Sequence, residues 1–212
     1  MGIITKIESQ KKRDDRVNIY IDEKFFMAIY KELVFTFNLK KGQEIDPNNL
    51  KSILDNEMYM KAKNKALSIL SKASQSEKQI RQKLAKDYEE DTIDRVIEFL
   101  QKYKFVDDED LASRIVNTNV NLNKYGKNKI KQNLYNKGID SEDISHAISN
   151  IDSNVEFENA MYLAKKRYER IKNEDKRKIY KKLSQHLAYK GFGYDTNKSV
   201  LNKILNFDEY EY

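Results

Sequence analysis

Asp107-Asp108-Glu109-Asp110 sets four carboxylates in consecutive positions, the residue type that a hard cation takes as ligand. A calcium loop, however, alternates its ligands and turns on a mid-loop glycine, and this run does neither. As a negative cluster opening a helix it is favoured by the helix dipole, and that reading is preferred. The two histidines, His146 and His186, neighbour apolar helix positions and have no ligand partners at metal spacing, so both read as structural or surface residues. With no cysteine in the chain, disulfides, thiolate metal sites and a thiol nucleophile are excluded. Neither GxxxxGK with a following Ser or Thr nor GxGxxG occurs, so no standard phosphate cradle is present. GxSxG is also absent. No catalytic residue, metal or cofactor is expected, and the chain does not read as an enzyme.

Binding chemistry is better represented. Residues 161 to 190 carry eleven Lys/Arg against Glu169, Glu174 and Asp175, in a chain whose total charge is only +6. So concentrated a basic segment can hold a polyanion, above all nucleic acid; the plain alternative is a solvated helix face in a lysine-rich chain. Helical spacing turns Lys165, Lys166, Arg170 and Lys172 away from the Leu163, Ala164, Tyr168 and Ile171 face. It turns Arg177, Lys181 and Lys182 away from Ile179, Leu183 and Leu187, while Lys127, Lys129 and Lys131 flank Ile130. These ten residues are the candidate contacts, expected to line one stripe. Tyr125, Tyr135, Tyr168, Tyr180 and Tyr189 stand among the lysines and can meet bases or pack at edges; Phe99, Phe105 and Phe157 read as core.

The elements that must position these side chains are mostly helices. The chain has 39% hydrophobic and 35% charged residues, one proline and six glycines, a composition of long, charge-covered helices. No signal peptide or stretch of about 20 apolar residues occurs, so a soluble, cytoplasmic protein is expected. Residues 1–45 differ: ITKIES and RVNIYID alternate, and FFMAI follows, which predicts a small antiparallel sheet of two or three strands. KELVFTFN reads as a short helix, and Gly42 marks a turn.

From Asp46, an N-cap ahead of Pro47, the period becomes helical, with Leu50, Leu54, Met58, Ala62, Ala66, Leu70 and Ala73 on one face. Ser76 with Gln79, and Ser153 with Glu156, read as capping boxes, and Asp91 as a further cap. Leu84, Leu134 and Leu187 fall at equivalent points of a recurring cycle, as do Ile93, Ile144 and Val200. LYNKGI and LAYKGF repeat the same Lys-Gly step, glycine ending a middle helix so that a third can pack on it. The fold expected is mainly α: three-helix repeats over 46–106, 107–152 and 153–212 in an elongated, curved array, preceded by a β element over 1–45.

Taken in order, IYIDEKFF, LKKGQEID, SEKQIRQKL, FVDDEDLA, YGKNKIKQNLYNKGI and KKLSQHLAYKGF resemble the RecX family, regulators of the recombinase RecA, over nearly the whole chain. Lys104 in KYKFVDD stands where that family has glycine. The resemblance implies a monomeric, non-enzymatic modulator that lies in the groove of the RecA–single-stranded-DNA filament. It would hinder ATP hydrolysis, strand exchange and filament growth in recombination, DNA repair and the SOS response. Single-stranded DNA, and double-stranded DNA beyond it, are the nucleic-acid partners expected, with no membrane. The alternatives are an autonomous nucleic-acid-binding protein and an enzyme with an unannounced cleft.

Overall fold

The computed structural model describes residues 2–11, 13–45 and 47–205. Asp46, expected to cap the first long helix, lies outside them. The described residues form two compact units, one of residues 2–73 with 80–105, the other of 74–79 with 106–205.

In the first unit β1 (Gly2–Gln10), β2 (Arg13–Ile21) and β3 (Lys24–Tyr30) form an antiparallel meander. Its alternation turns Ile4, Val17, Ile19 and Ile29 into the core. A fourth strand, β4 (Glu44–Ile45), pairs with the start of β1, giving the order β3-β2-β1-β4. Two residues are too few to show a period, which is why the sequence predicts two or three strands and not four. The expected short helix is α1 (Lys31–Thr36), anchored by buried Leu33.

α2 (Pro47–Leu70) closes over this core. Its inward face is the expected one only in part: Leu50 packs on the core and Ala62 and Ala66 are buried, but Leu54 and Met58 are exposed, and Ala73 lies beyond the helix end. Ile53, Glu57 and Met60 are buried along with Ala62 and Ala66. The helix meets β3 and also α4 (Glu90–Lys102), and a helix serving two partners need not carry a single apolar stripe.

α3 (Glu77–Leu84) opens with the expected capping box. Gln79 N–H donates to Ser76 Oγ at 3.2 Å, and Gln79 Oε1 accepts from Ser76 N–H at 3.4 Å. Asp91 does not cap α4; it sits in the first turn, behind Glu89 at the N-cap.

After α4 the chain reverses through Lys104, whose φ of +57° lies in the left-handed region. Phe105 N–H donates back to Leu100 O at 2.8 Å, the bond pattern of a glycine-type helix stop. A side chain there costs about 1 kcal/mol relative to glycine. Lys104→Gly is therefore expected to stabilise the first unit by about that amount, read as a higher urea midpoint with unchanged slope.

The second unit holds α5 (Asp108–Asn121), α6 (Lys127–Lys137), α7 (Ser141–Ser149), α8 (Ser153–Tyr168), α9 (Lys176–Tyr189) and α10 (Tyr194–Leu205). The acidic run is a helix start: Asp107 accepts from Asp110 N–H, and Asp108 accepts from Glu77 N–H at 3.0 Å. Burial holds the Asp108 carboxyl above its ordinary range. Caps fall on Asp140 for α7, Asp175 for α9 and Asp152 for α8, one residue before the expected Ser153.

The repeat is real at the level of packing. Leu84, Leu134 and Leu187 are fully buried, as are Ile80, Ile130 and Leu183 one turn earlier, and Ile93, Ile144 and Val200 are core. Gly138 and Gly191 follow α6 and α9 with φ of +82° and +91°.

Candidate nucleic-acid interface

α6 begins at Gly126, which has no side chain to cap it. Three N–H groups at that end are satisfied from the third three-helix repeat instead. Gly126 N–H donates to Lys190 O and Asn128 N–H to Gly191 O, each at 3.0 Å, and Lys127 N–H donates to Glu156 Oε1 at 3.0 Å. Buried Glu156, expected to close a capping box with Ser153, is thus recruited to another helix, with Lys127 Nζ 3.8 Å from its second oxygen. Glycines 126 and 191 allow this stitching because their backbones touch. A Cβ on Gly126 would stand 2.5 Å from Gly191 C and O.

The joint brings lysines and tyrosines together. Lys129 Nζ lies 5.8 Å from the Tyr189 ring centroid and Lys190 Nζ 5.1 Å from that of Tyr125. Tyr189 is 73% exposed, so one face of its ring is open to a base. Lys131 and Tyr135, four residues apart, are exposed on the outer side of α6.

The other candidates lie on α8, α9 and the turn between them. Lys165, Lys166 and Arg170 are exposed at and beyond the C-terminal turn of α8, where the helix dipole favours cations. Arg177 and Lys181 are exposed four apart on α9, opposite buried Ile179, Leu183 and Leu187. The segment's three acids are committed locally. Glu169 bonds Lys172 at 2.8 Å, Glu174 takes Lys182 Nζ at 2.6 and 2.7 Å, and Asp175 caps α9. Lys172 and Lys182 are therefore partly neutralised. Lys131, Lys165, Lys166, Arg170, Arg177 and Lys181 have no carboxylate partner among the described residues.

The structure thus gathers Lys127 and Lys129 at the joint and divides the remainder between α6, α8 and α9. Sequence reasoning passed over Lys190, although the repeated Lys-Gly step was its signal. His186 is half-buried near Arg167 and Lys190. Burial first, then these two cations, hold its imidazole below the ordinary value, so it adds no charge at neutral pH. Among the described residues no group of three or more His, Cys, Asp or Glu is placed to hold a metal ion, and no helix is long and apolar enough to cross a membrane.

Four family profiles match the chain: the regulatory protein RecX N-terminal domain over residues 2–46, and the first, second and third RecX three-helix domains over 62–100, 107–148 and 154–201. Regulatory protein RecX of Clostridioides difficile (strain 630) is 68% identical over 211 residues, covering 100% of both chains. That of Clostridium tetani is 43% identical, covering 97% of this chain and 95% of its own. A crystal structure of regulatory protein RecX superposes with a TM-score of 0.78 at 31% identity, over 94% of this chain and 98% of that one. A crystal structure of RecX from Lactobacillus salivarius gives 0.67 at 29% identity, over 72% and 99%.

Proposed function

Because the chain belongs to the RecX family of regulatory proteins, we propose that it binds the RecA–single-stranded-DNA filament and restrains its ATPase, strand exchange and growth. The observation that supports this most is the second unit's set of cations without carboxylate partners, beside a lysine–tyrosine joint. A filament built on DNA offers a continuous line of phosphates. Cations free of internal partners can release counterions from such a line at little internal cost.

The mechanism is occupancy. Lys165, Lys166, Arg170, Arg177 and Lys181 hold the polyanion, Lys129 and Lys190 hold the exposed Tyr189 and half-buried Tyr125 beside it, and the bound chain obstructs turnover and extension. Lys127, Lys172 and Lys182 order the surface through Glu156, Glu169 and Glu174.

Reversing Lys166, Arg170 and Lys181 to glutamate together is expected to weaken binding to preformed filaments about 100-fold at low salt. It should also reduce the slope of log affinity against log salt by about 3. Binding at different salt concentrations, followed by anisotropy of labelled DNA, reads both quantities. Unchanged affinity and slope would exclude this surface. The reading of a nucleic-acid binder that needs no recombinase predicts equal binding to free DNA and no effect on RecA.

A further inference from the structure

The first unit carries a cluster of rings and cations that lies outside the surface described above. Tyr103, Phe99 and Phe105 form a row: the Phe99 centroid is 4.8 Å from that of Tyr103 and 6.2 Å from that of Phe105, the latter pair stacked at 23°. The row continues to α2 through Lys63, whose Nζ is 5.1 Å from the Phe99 centroid and 5.4 Å from that of Tyr59. Arg95 lies over Tyr59 at 4.6 Å and donates to Asn56 Oδ1 at 3.3 Å, and Lys102 lies 5.9 Å from the Tyr103 ring. Phe105, which reads as core in the sequence, is 51% exposed, and Tyr103 is 57% exposed.

Tyr103 and Phe105 are half exposed and braced by a third ring, an arrangement that holds both rings ready for a stacked base. The charges beside them identify the ligand. Lys63, Arg95 and Lys102 lie beside its rings, against exposed Glu98 on the same helix. Rings with interleaved cations and a positive balance suit unpaired bases joined by phosphates. An apolar protein surface would leave the ammonium and guanidinium groups unmatched.

We propose that the α2–α4 surface is a platform for single-stranded nucleic acid, on which Tyr103 and Phe105 stack bases and Lys63, Arg95 and Lys102 meet phosphates. This site concerns free strands and does not depend on the recombinase.

The chain contains no tryptophan, so Tyr103→Trp supplies a ring-preserving, unambiguous fluorophore. In the full-length chain, single-stranded oligo(dT) is expected to quench the introduced indole, and the same strand paired with oligo(dA) is not. Tyr103→Ala with Phe105→Ala should lower oligo(dT) affinity about 10- to 100-fold while leaving the salt slope unchanged, because stacking releases no counterions. Indole emission unchanged at DNA concentrations that saturate binding, or quenched equally by the duplex, would overturn the platform. So would unaltered affinity of the double alanine variant. Filament binding weakened only by the charge reversals, and oligo(dT) affinity lowered only by loss of the rings, would separate the two surfaces.

Discussion

Glu57→Ala is expected to destabilise the first unit by about 3–5 kcal/mol, more than any single surface change. Glu57 is 2% exposed and takes Arg16 Nη2 at 2.7 Å on one carboxylate oxygen and Tyr30 N–H at 2.8 Å on the other. Arg16 in turn donates to Ala28 O at 2.8 Å and lies 4.6 Å from the Tyr30 ring centroid. The carboxylate therefore ties β2 and β3 to the middle of α2. Removing it strands a buried guanidinium and a buried amide at once, and each loses a partner that water cannot replace. Hydrogen exchange of the β2 and β3 amides should accelerate about 100-fold or more where it proceeds by opening of this unit. Glu57→Gln keeps one of the two acceptor oxygens but sets an NH2 donor against the other partner, so it should cost less than alanine by about the one bond retained. Arg16→Met combined with Glu57→Met should also cost less than Glu57→Ala, because no unpaired charge remains. Equal losses in all three variants would show that packing, and not the ion pair, holds the sheet to the helix.

The second large effect belongs to the joint in the other unit. Gly191→Ala is expected to cost about 3 kcal/mol or more, because two penalties coincide. The residue holds φ +91°, and a Cβ there would stand 2.3 Å from Lys129 N and Cβ. Gly126→Ala meets backbone on the opposing side, with Gly191 C and O at 2.5 Å and Phe192 N at 2.6 Å, so neither chain can yield without breaking the bonds that cap α6. Two other glycines serve as controls. Gly193 has open space around its missing Cβ and should tolerate alanine. Gly42 also has open space but φ +84°, so only the backbone penalty of about 1 kcal/mol applies. Thermal melts should rank the alanine variants, most destabilised first, as those at Gly191, Gly126, Gly42 and Gly193. A harmless Gly191→Ala would contradict the close approach.

These two sites show what the sequence could and could not announce. The repeat was legible because Leu84, Leu134 and Leu187 each precede a helix stop and each fills a core, so packing and period coincide. Local caps were legible where one turn contains both partners, as with Ser76 and Gln79. They misled where a distant helix competed: Glu156 matches a capping box by spacing, yet burial and an orphan N–H on α6 hold it elsewhere. Glu57 carried no signal, since a carboxylate in a helix reads as a solvated position until a strand places Arg16 beside it. The face of α2 was misread at Leu54 and Met58, though not at Ala62 and Ala66, for a related reason, as two partners on different sides leave no single stripe. For the basic surface, helical spacing turned the cations of α8 and α9 outward, but Lys127 and Lys129 are half-buried and the pairing of the others was not legible. Which lysines are neutralised depends on where Glu169, Glu174 and Glu156 reach.

The proposed restraint of a recombinase filament rests on the second unit's unpaired cations. Steady-state ATP hydrolysis by RecA on single-stranded DNA, titrated with this protein and with the Lys166, Arg170 and Lys181 reversal, tests it most directly. The expected result is saturating inhibition by the native chain, and a requirement for about 100-fold more of the reversed variant. Hydrolysis unaffected by the native chain, or inhibited equally by both, would contradict it.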